Sequence, residues 1–383
     1  MEKTRVVVLK CDDYEEEKVY SLMKKGLEKI GGVEKYIGKD EKILVKPNFL
    51  YPSKREKRVT TDPSVITGML RILNEEGFTN VKVGDSPASG TSKQALKDLD
   101  IDEHNLYGAV PALMNEEVKC VYEDGRKKTT FYLTKDVYEA DAIIGLSKMK
   151  THMLERLTGA VKNMYGLICG FRKAQGHVSY PNAVLFAKMM AALHKYTKPR
   201  FHIMDGVYAM EGNGPASGTE RKMGVLLVSS DPVAIDSVFS RLVDMKPTLV
   251  PTNVWAYQAG VGTYKEDEIE VLLIDEDGEN TVSFDELFKK YGCPDFDCER
   301  EKEKLNVLTL WGKLTKKVVE RPVIDQNKCV KCGQCVEHCP VEGKAVTFRN
   351  GKDNTPVYNY DKCIRCYCCQ EICPMHAISV KKR

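Results

Sequence analysis

The sequence predicts an α/β fold, a mainly parallel sheet with flanking helices, followed by a small C-terminal α+β unit. Three observations predict it. Short β-branched runs alternate with helical patterns from Arg5 to Leu242, the mark of strand–helix–strand units. Polar residues bunch just after the apolar runs, where open α/β sheets place their ligand crevice. Eight cysteines crowd between Cys329 and Cys373 in a duplicated pattern. The expected division is 1–315 for the larger domain and 316–383 for the smaller.

Arg5 to Leu9 reads as a buried strand, and Glu15 to Ile30 as a helix stopped at Gly31-Gly32. Lys42 to Lys46 is the second strand. Asp62-Pro63 opens a helix, with Asp62 suited to the N-cap and Pro63 to the first turn. Its apolar residues Val65, Ile66, Met69, Leu70 and Leu73 share one face, and Gly77 ends it. Val81 to Val83 is a strand, followed by a short helix near Ser92 to Asp98. Asp124-Gly125 separates two β runs and signals a hairpin. Ala142 to Leu146, Phe201 to Met204 and Val225 to Val228 read as strands. Pro181 to Lys195 reads as a helix, and Asp231-Pro232 opens another through Leu242. Residues 265–315 are more charged and are expected to form a tail and a linker.

The formal charge is +3 over 383 residues, which gives no ground for a nucleic-acid or membrane role. The first residues carry no long apolar run, and the most apolar stretch, Ala183 to Leu193, is short and interrupted by Lys188. A cytoplasmic protein is expected.

Cys329, Cys332 and Cys335 are spaced C-x2-C-x2-C, with Cys339 and Pro340 behind them. The pattern returns at Cys363, Cys366, Cys369 and Cys373, with Pro374 behind. This is the spacing of a bacterial-type ferredoxin with two [4Fe–4S] clusters, in which the fourth cysteine of each run serves the other cluster. One ligand set is therefore Cys329, Cys332, Cys335 and Cys373. The other is Cys363, Cys366, Cys369 and Cys339. Zinc sites use two pairs of ligands rather than a triplet plus one. Cys368 is a ninth thiol inside the second loop, either a spare or a ligand that swaps in for its neighbour.

The candidate binding residues follow the strands: Lys46-Pro47-Asn48, Gly84-Asp85-Ser86, Ser147 to His152, Asp205-Gly206 and Glu211 to Pro215. The span Thr158 to Gly170 mixes glycines with Lys162 and Asn163. Glycine lets backbone N–H groups approach a ligand. Lys148, Lys150, Lys162, Arg172 and Lys173 would surround that ligand with positive charge, so an anion is expected. His152 and His177 are the candidate proton-transfer groups. Neither a P-loop nor a G-x-G-x-x-G fingerprint is present.

At these residues the chain resembles the DUF362 proteins, many of which carry a C-terminal ferredoxin module. The motifs are Lys46-Pro47-Asn48, Thr61-Asp62-Pro63, Gly84-Asp85-Ser86, Lys148 to His152, Thr158 to Asn163 with Gly166, Asp205-Gly206, Glu211 to Pro215, and Ser230-Asp231-Pro232 with Asp236. The resemblance names a family without a reaction. The glycine-rich 152–177 region is also similar to the lactate racemase family, which uses a nickel-pincer cofactor; no residue-by-residue match carries a nickel ligand over.

The expected function is an iron–sulfur oxidoreductase. Electrons would pass from a partner protein through the clusters to an anionic substrate or second cofactor held by Lys46, Asn48, Lys148, Lys150, Lys162 and Asn163. A flavin would suit the basic, glycine-rich loops, though no motif demands one. The alternative is a non-catalytic electron carrier or a subunit of a larger redox complex.

Overall fold

A computed structural model describes residues 3–125, 127–301, 321–349 and 351–381. The chain opens with β1 (Thr4–Lys10), α1 (Glu16–Ile30), β2 (Ile43–Lys46), α2 (Pro63–Glu75), β3 (Val81–Val83), α3 (Ser92–Asp98) and β4 (Val110–Pro111). A separate hairpin, β5 (Glu117–Asp124) and β6 (Lys127–Thr134), precedes α4 (Lys135–Glu139) and the long β7 (Ala142–His152). Then come β8 (Arg156–Thr158), α5 (Ala160–Asn163), α6 (Gly170–Ser179), α7 (Ala183–Thr197), β9 (Phe201–Glu211) and β10 (Thr219–Ser229). The larger unit closes with α8 (Pro232–Leu242), α9 (Pro251–Gln258), β11 (Ile269–Asp275), β12 (Gly278–Val282) and α10 (Phe284–Tyr291).

Ten strands form one mixed sheet in the order β12-β11-β1-β10-β9-β7-β2-β3-β4, with β8 added to β7. The pairs β7–β9, β2–β7, β2–β3, β3–β4 and β1–β11 are parallel. β10 lies antiparallel between β1 and β9. Successive strand residues point to opposite faces, and both faces are covered. Val7, Leu9, Val45 and Ile144 pack beneath α1 and α2, while Val6, Val8 and Leu227 pack beneath α8 and α10. That double burial explains the unbroken apolar runs of β1 and β2.

The caps follow from local chemistry. Asp62 accepts a hydrogen bond from Ser64 N at the start of α2, and Asp231 accepts from Val233 N and Ala234 N at the start of α8. Gly31 closes α1 at φ 113°, a left-handed value that glycine takes without a Cβ clash.

The structure departs from expectation in three places. β7 and β9 each run 11 residues, so Ser147 to His152 and Asp205-Gly206 are strand rather than loop. Residues 265–315 were expected to be a tail and linker. Instead β11 pairs with β1, and β12 and α10 follow it. The alternation of buried and half-buried residues along β11 was masked by the acidic residues on its outer positions. α6 spans Gly170–Ser179, where the sequence pattern assigns no element. The expected boundary at 315/316 lies outside the described residues.

The C-terminal region is small. β13 (Arg321–Ile324) pairs antiparallel with β16 (Ile378–Lys381), and β14 (Val346–Thr347) with β15 (Val357–Tyr358). The one-turn helices α11 (Gln334–Glu337) and α12 (Cys368–Glu371) each carry one of the cysteine pattern.

α5 is held by Asp236 of α8, whose carboxylate accepts from Ala160 N at 2.6 Å and Val161 N at 3.1 Å. A Cβ on Gly159 would lie 2.2 Å from Asp236 Oδ1, so only glycine permits the approach. Asp236→Ala leaves two buried N–H groups without their acceptor. It is expected to cost about 2 kcal/mol in urea unfolding.

Candidate functional site

β2 and β7 lie side by side and put three lysines into the interior: Lys46, Lys148 and Lys150, each at most 2% exposed. Their partners differ. Lys46 Nζ lies 2.9 Å from Asp85 Oδ1, an ion pair without hydrogen-bond alignment, and donates to Pro47 O and Asn163 Oδ1. Asp85 Oδ2 accepts from Phe49 N at 2.7 Å. Gly166 makes this pair possible. A Cβ there would stand 1.9 Å from Asp85 Oδ1 and 2.6 Å from Lys46 Nζ. Burial pulls the Lys46 ammonium down, with Asp85 opposing.

Lys148 Nζ donates to Asp205 Oδ2 at 2.7 Å and to Tyr14 OH at 2.6 Å, and Tyr14 OH donates to Asp205 Oδ1. This network is closed on itself. Lys150 has no carboxylate partner among the described residues. Its Nζ donates to Asn48 Oδ1 and to Val59 O. Burial, with Lys162 and Lys148 nearby, pulls its pKa down to about 7.

A cavity of about 310 Å³ lies where these residues meet the C-terminal region. Lys150, Lys162, Lys173, Asn48, Asn163 and His177 give it polar groups, and Leu50, Pro87, Tyr165 and Ile372 give it apolar ones. Lys173 donates to Ser86 O, and burial brings its pKa down to about 8. Lys162 is half-buried, forms no ion pair among the described residues, and is lowered by burial against the pull of Glu371 and Glu155. Cys368 and Glu371 of α12 form the far wall. Cys368 stands between Cys366 and Cys369, so one cysteine set borders the cavity.

The two histidines occupy different places. His152 Nδ1 accepts from Leu154 N and Glu155 N, both at 3.1 Å, so Nε2 carries the proton and donates to Glu371 Oε1 at 3.1 Å. His152 thus bonds the two regions and does not line the cavity. Burial holds it down near 4, which keeps it neutral. Burial would raise Glu371, but the His152 bond and the Lys162 charge hold it at about 2. The seam is reinforced by Gln370 Nε2, which donates to Asn213 Oδ1 at 2.9 Å, and by a 2.7 Å bond between Ser217 and His376. His177 does line the cavity. It stacks on Phe186 with centroids 5.0 Å apart, its Nδ1 has no hydrogen-bond partner, and burial holds it near 4.

Of the expected binding residues, Asn48, Lys150, Lys162 and Asn163 line the cavity. Lys46 sits behind Asp85, and Lys148 is sealed in its own network. Sequence reasoning passed over Tyr165, Glu371 and Glu155. The first two carried only one signal, their closeness to glycine or cysteine motifs; Glu371 reaches the site from 219 residues beyond His152.

The eight cysteines separate into two sets in space. Cys329, Cys332, Cys335 and Cys373 ring one small cavity, and Cys339, Cys363, Cys366 and Cys369 ring another. Each ring takes three thiols from one run and the fourth from the other. Apolar side chains such as Ile324, Ala377 and Ile378 line the first ring, and Val341, Ala345 and Val346 the second. A thiolate set around an apolar volume fits an iron–sulfur cluster.

Comparison with known proteins agrees with this geometry. Residues 43–241 match a domain of unknown function (DUF362), and residues 321–374 match a 4Fe-4S dicluster domain. A thylakoid-associated protein of Synechocystis sp. is 30% identical over 255 residues, covering 64% of this chain and 77% of the relative. The lactate racemase apoprotein from Thermoanaerobacterium thermosaccharolyticum overlays with a TM-score of 0.40 at 12% identity, covering 61% of this chain and 56% of its own. A Thermotoga maritima protein overlays at 0.37 and 13%, covering 66% and 60%. This chain therefore spans under two thirds of either solved chain. Among the described residues no helix is long and apolar enough to cross a membrane.

Glu155 generates a test of the seam. It is fully buried, neither carboxylate oxygen has a hydrogen-bond partner, and burial raises it to about 8. Its folded pKa lies above its unfolded value, so its contribution is fully present below about 4.5 and is lost as pH rises through about 8. Glu155→Gln is expected to be more stable than wild type at pH 9 and to lose that advantage at pH 5, read from urea midpoints.

Proposed function

The chain belongs to the DUF362 family and carries a 4Fe-4S dicluster domain, and on that footing we propose that it delivers electrons, one at a time, to an anionic molecule in the cavity at the seam. The observation that carries this reading is the makeup of that cavity. Lys150, Lys162 and Lys173, none of them in an ion pair among the described residues, converge on one side, and the helix between two cluster cysteines closes the other. Only two carboxylates, Asp85 and Glu371, line the same cavity, and Asp85 is already paired with Lys46, so positive charge is in excess there and an anionic ligand balances it.

Iron–sulfur clusters in the two cysteine rings would supply single electrons. The remaining work falls to side chains. Lys162 and Lys173 bind and orient the anion. Asn48 and Asn163 present amide groups beside them. Lys150, with a pKa near neutrality, is the proton source for the reduced product. His177 is neutral at pH 7 and offers a hydrogen bond rather than a proton. His152 acts as a tie between the regions, so proton delivery moves from the histidines to Lys150. Oxygen-sensitive clusters suit a reducing compartment such as the cytoplasm. The carrier alternative requires no ligand in the cavity and leaves Lys150 and Lys162 without a role.

Binding of inorganic phosphate and of small aromatic and aliphatic carboxylates to anaerobic protein tests the reading. Lys162→Ala is expected to weaken the best of these probes roughly tenfold or more, the loss of one charge-assisted hydrogen bond, with iron content unchanged. For the carboxylates, affinity should be flat below pH 7, fall as pH rises above about 7, the Lys150 value in the free protein, and level off above the value to which the bound anion lifts it. Absence of binding by every probe, or indifference to Lys162→Ala, sinks the proposal.

Cys335→Ala should remove about half of the bound iron. Its EPR signal should report one remaining cluster.

A further inference from the structure

The cavity accounts for one end of an electron path; the other end also has a structural candidate. Cys332 is the exposed thiol among the eight, and it belongs to the ring of Cys329, Cys332, Cys335 and Cys373. Around that ring the surface is apolar. Val330 is 56% and Met375 46% exposed, and Pro374 between Cys373 and Met375 is exposed too. All three line the same cavity as the thiols. Isolated exposed apolar residues are ordinary, but three grouped over one cluster site form a patch.

The rim of that patch is basic. Lys328 and Lys331 flank Cys329 and Cys332 and are exposed. Lys57, exposed on the larger unit, joins Lys328 in acting on His376, which follows Met375. Asp325 is the exposed acid of the same segment. Among the described residues, Lys57, Lys328 and Lys331 stand against Asp325 and the exposed Glu56 beside Lys57, so positive charge outnumbers negative around the patch. The second ring differs. Its four thiols are buried or half-buried, and its helix α12 faces the cavity.

We propose that the face formed by Val330, Pro374 and Met375, rimmed by Lys57, Lys328 and Lys331, docks an acidic one-electron carrier protein. With clusters held by the two rings, electrons would enter at the ring containing Cys332 and leave through the ring containing Cys369 toward the cavity. Each transfer would move a single electron, the carrier being oxidised as the accepting cluster is reduced, with no bond made or broken. A small apolar centre inside a charged rim suits a brief encounter, since weak redox complexes bury little surface. The basic rim steers an acidic partner over distances comparable to the Debye length.

The polarity of this path rests on the proposed electron-transfer function, but the docking face is tested apart from it. Full-length anaerobic protein with its clusters loaded is mixed in stopped flow with a reduced acidic flavodoxin-type protein, and cluster bleaching is followed. Lys328→Glu/Lys331→Glu is expected to slow bleaching at least tenfold at low salt, and Val330→Ser to slow it less. The wild-type rate should fall with ionic strength. Dithionite in excess, which needs no docking face, should reduce all variants to the wild-type extent. Lys39→Glu, on the exposed connection between α1 and β2 where Lys39 pairs with Glu34, should behave as wild type.

The proposal is overturned if Lys328→Glu/Lys331→Glu is reduced by the flavodoxin at the wild-type rate, if Lys39→Glu slows it equally, or if a basic haem protein is the faster partner. Loss of phosphate and carboxylate binding with docking intact would instead remove the cavity reading and leave a carrier.

Discussion

The interior placement of positive charge on β2 and β7 governs the rest of the molecule. Two adjacent parallel strands put Lys46, Lys148 and Lys150 out of reach of bulk water, where an uncompensated ammonium is costly. Each is handled differently. Lys148 is neutralised by Asp205 within a closed network, and Lys46 by Asp85. Lys150 receives only an amide and a carbonyl. That inequality separates scaffold from site. The paired lysines hold strand ends and loops in position, and the unpaired one leaves a charge deficit facing the cavity.

Packing around the deficit is tight. Gly166 and Gly159 lie where a Cβ would collide with Asp85 or Asp236. Those two contacts set the position of the segment that carries Lys162 and Asn163. The glycines thus bring side chains to the cavity by letting the backbone settle onto buried carboxylates. Sequence reasoning gave glycine the different task of exposing N–H groups to a ligand.

Much of the fold was legible. Asp62-Pro63 and Asp231-Pro232 announced helix starts through capping chemistry, and the apolar runs of β1 and β2 announced buried strands. β11 was hidden because the acidic run Glu266 to Glu268 precedes it and Glu270 interrupts its apolar residues, so local composition spoke for a linker while pairing with β1 decided otherwise. Spacing alone also assigned the cysteines to two rings, since that information is local and repeated. The site was less legible. Lys150 and Lys162 could be singled out by charge, but their difference from Lys148 depends on which carboxylate folds against which strand. Glu371 could not be foreseen as a wall of the cavity, because its partner His152 is distant in the chain.

The bond between His152 and Glu371 has an architectural consequence. Glu371 belongs to the same short helix as a cluster cysteine, yet it closes the cavity and offsets the charge of Lys162. The site is consequently composite, shared across the fusion of the two units. A homologue built from the larger unit alone would present an open, more cationic bowl. To regain an enclosed chamber it would have to borrow a carboxylate from another polypeptide.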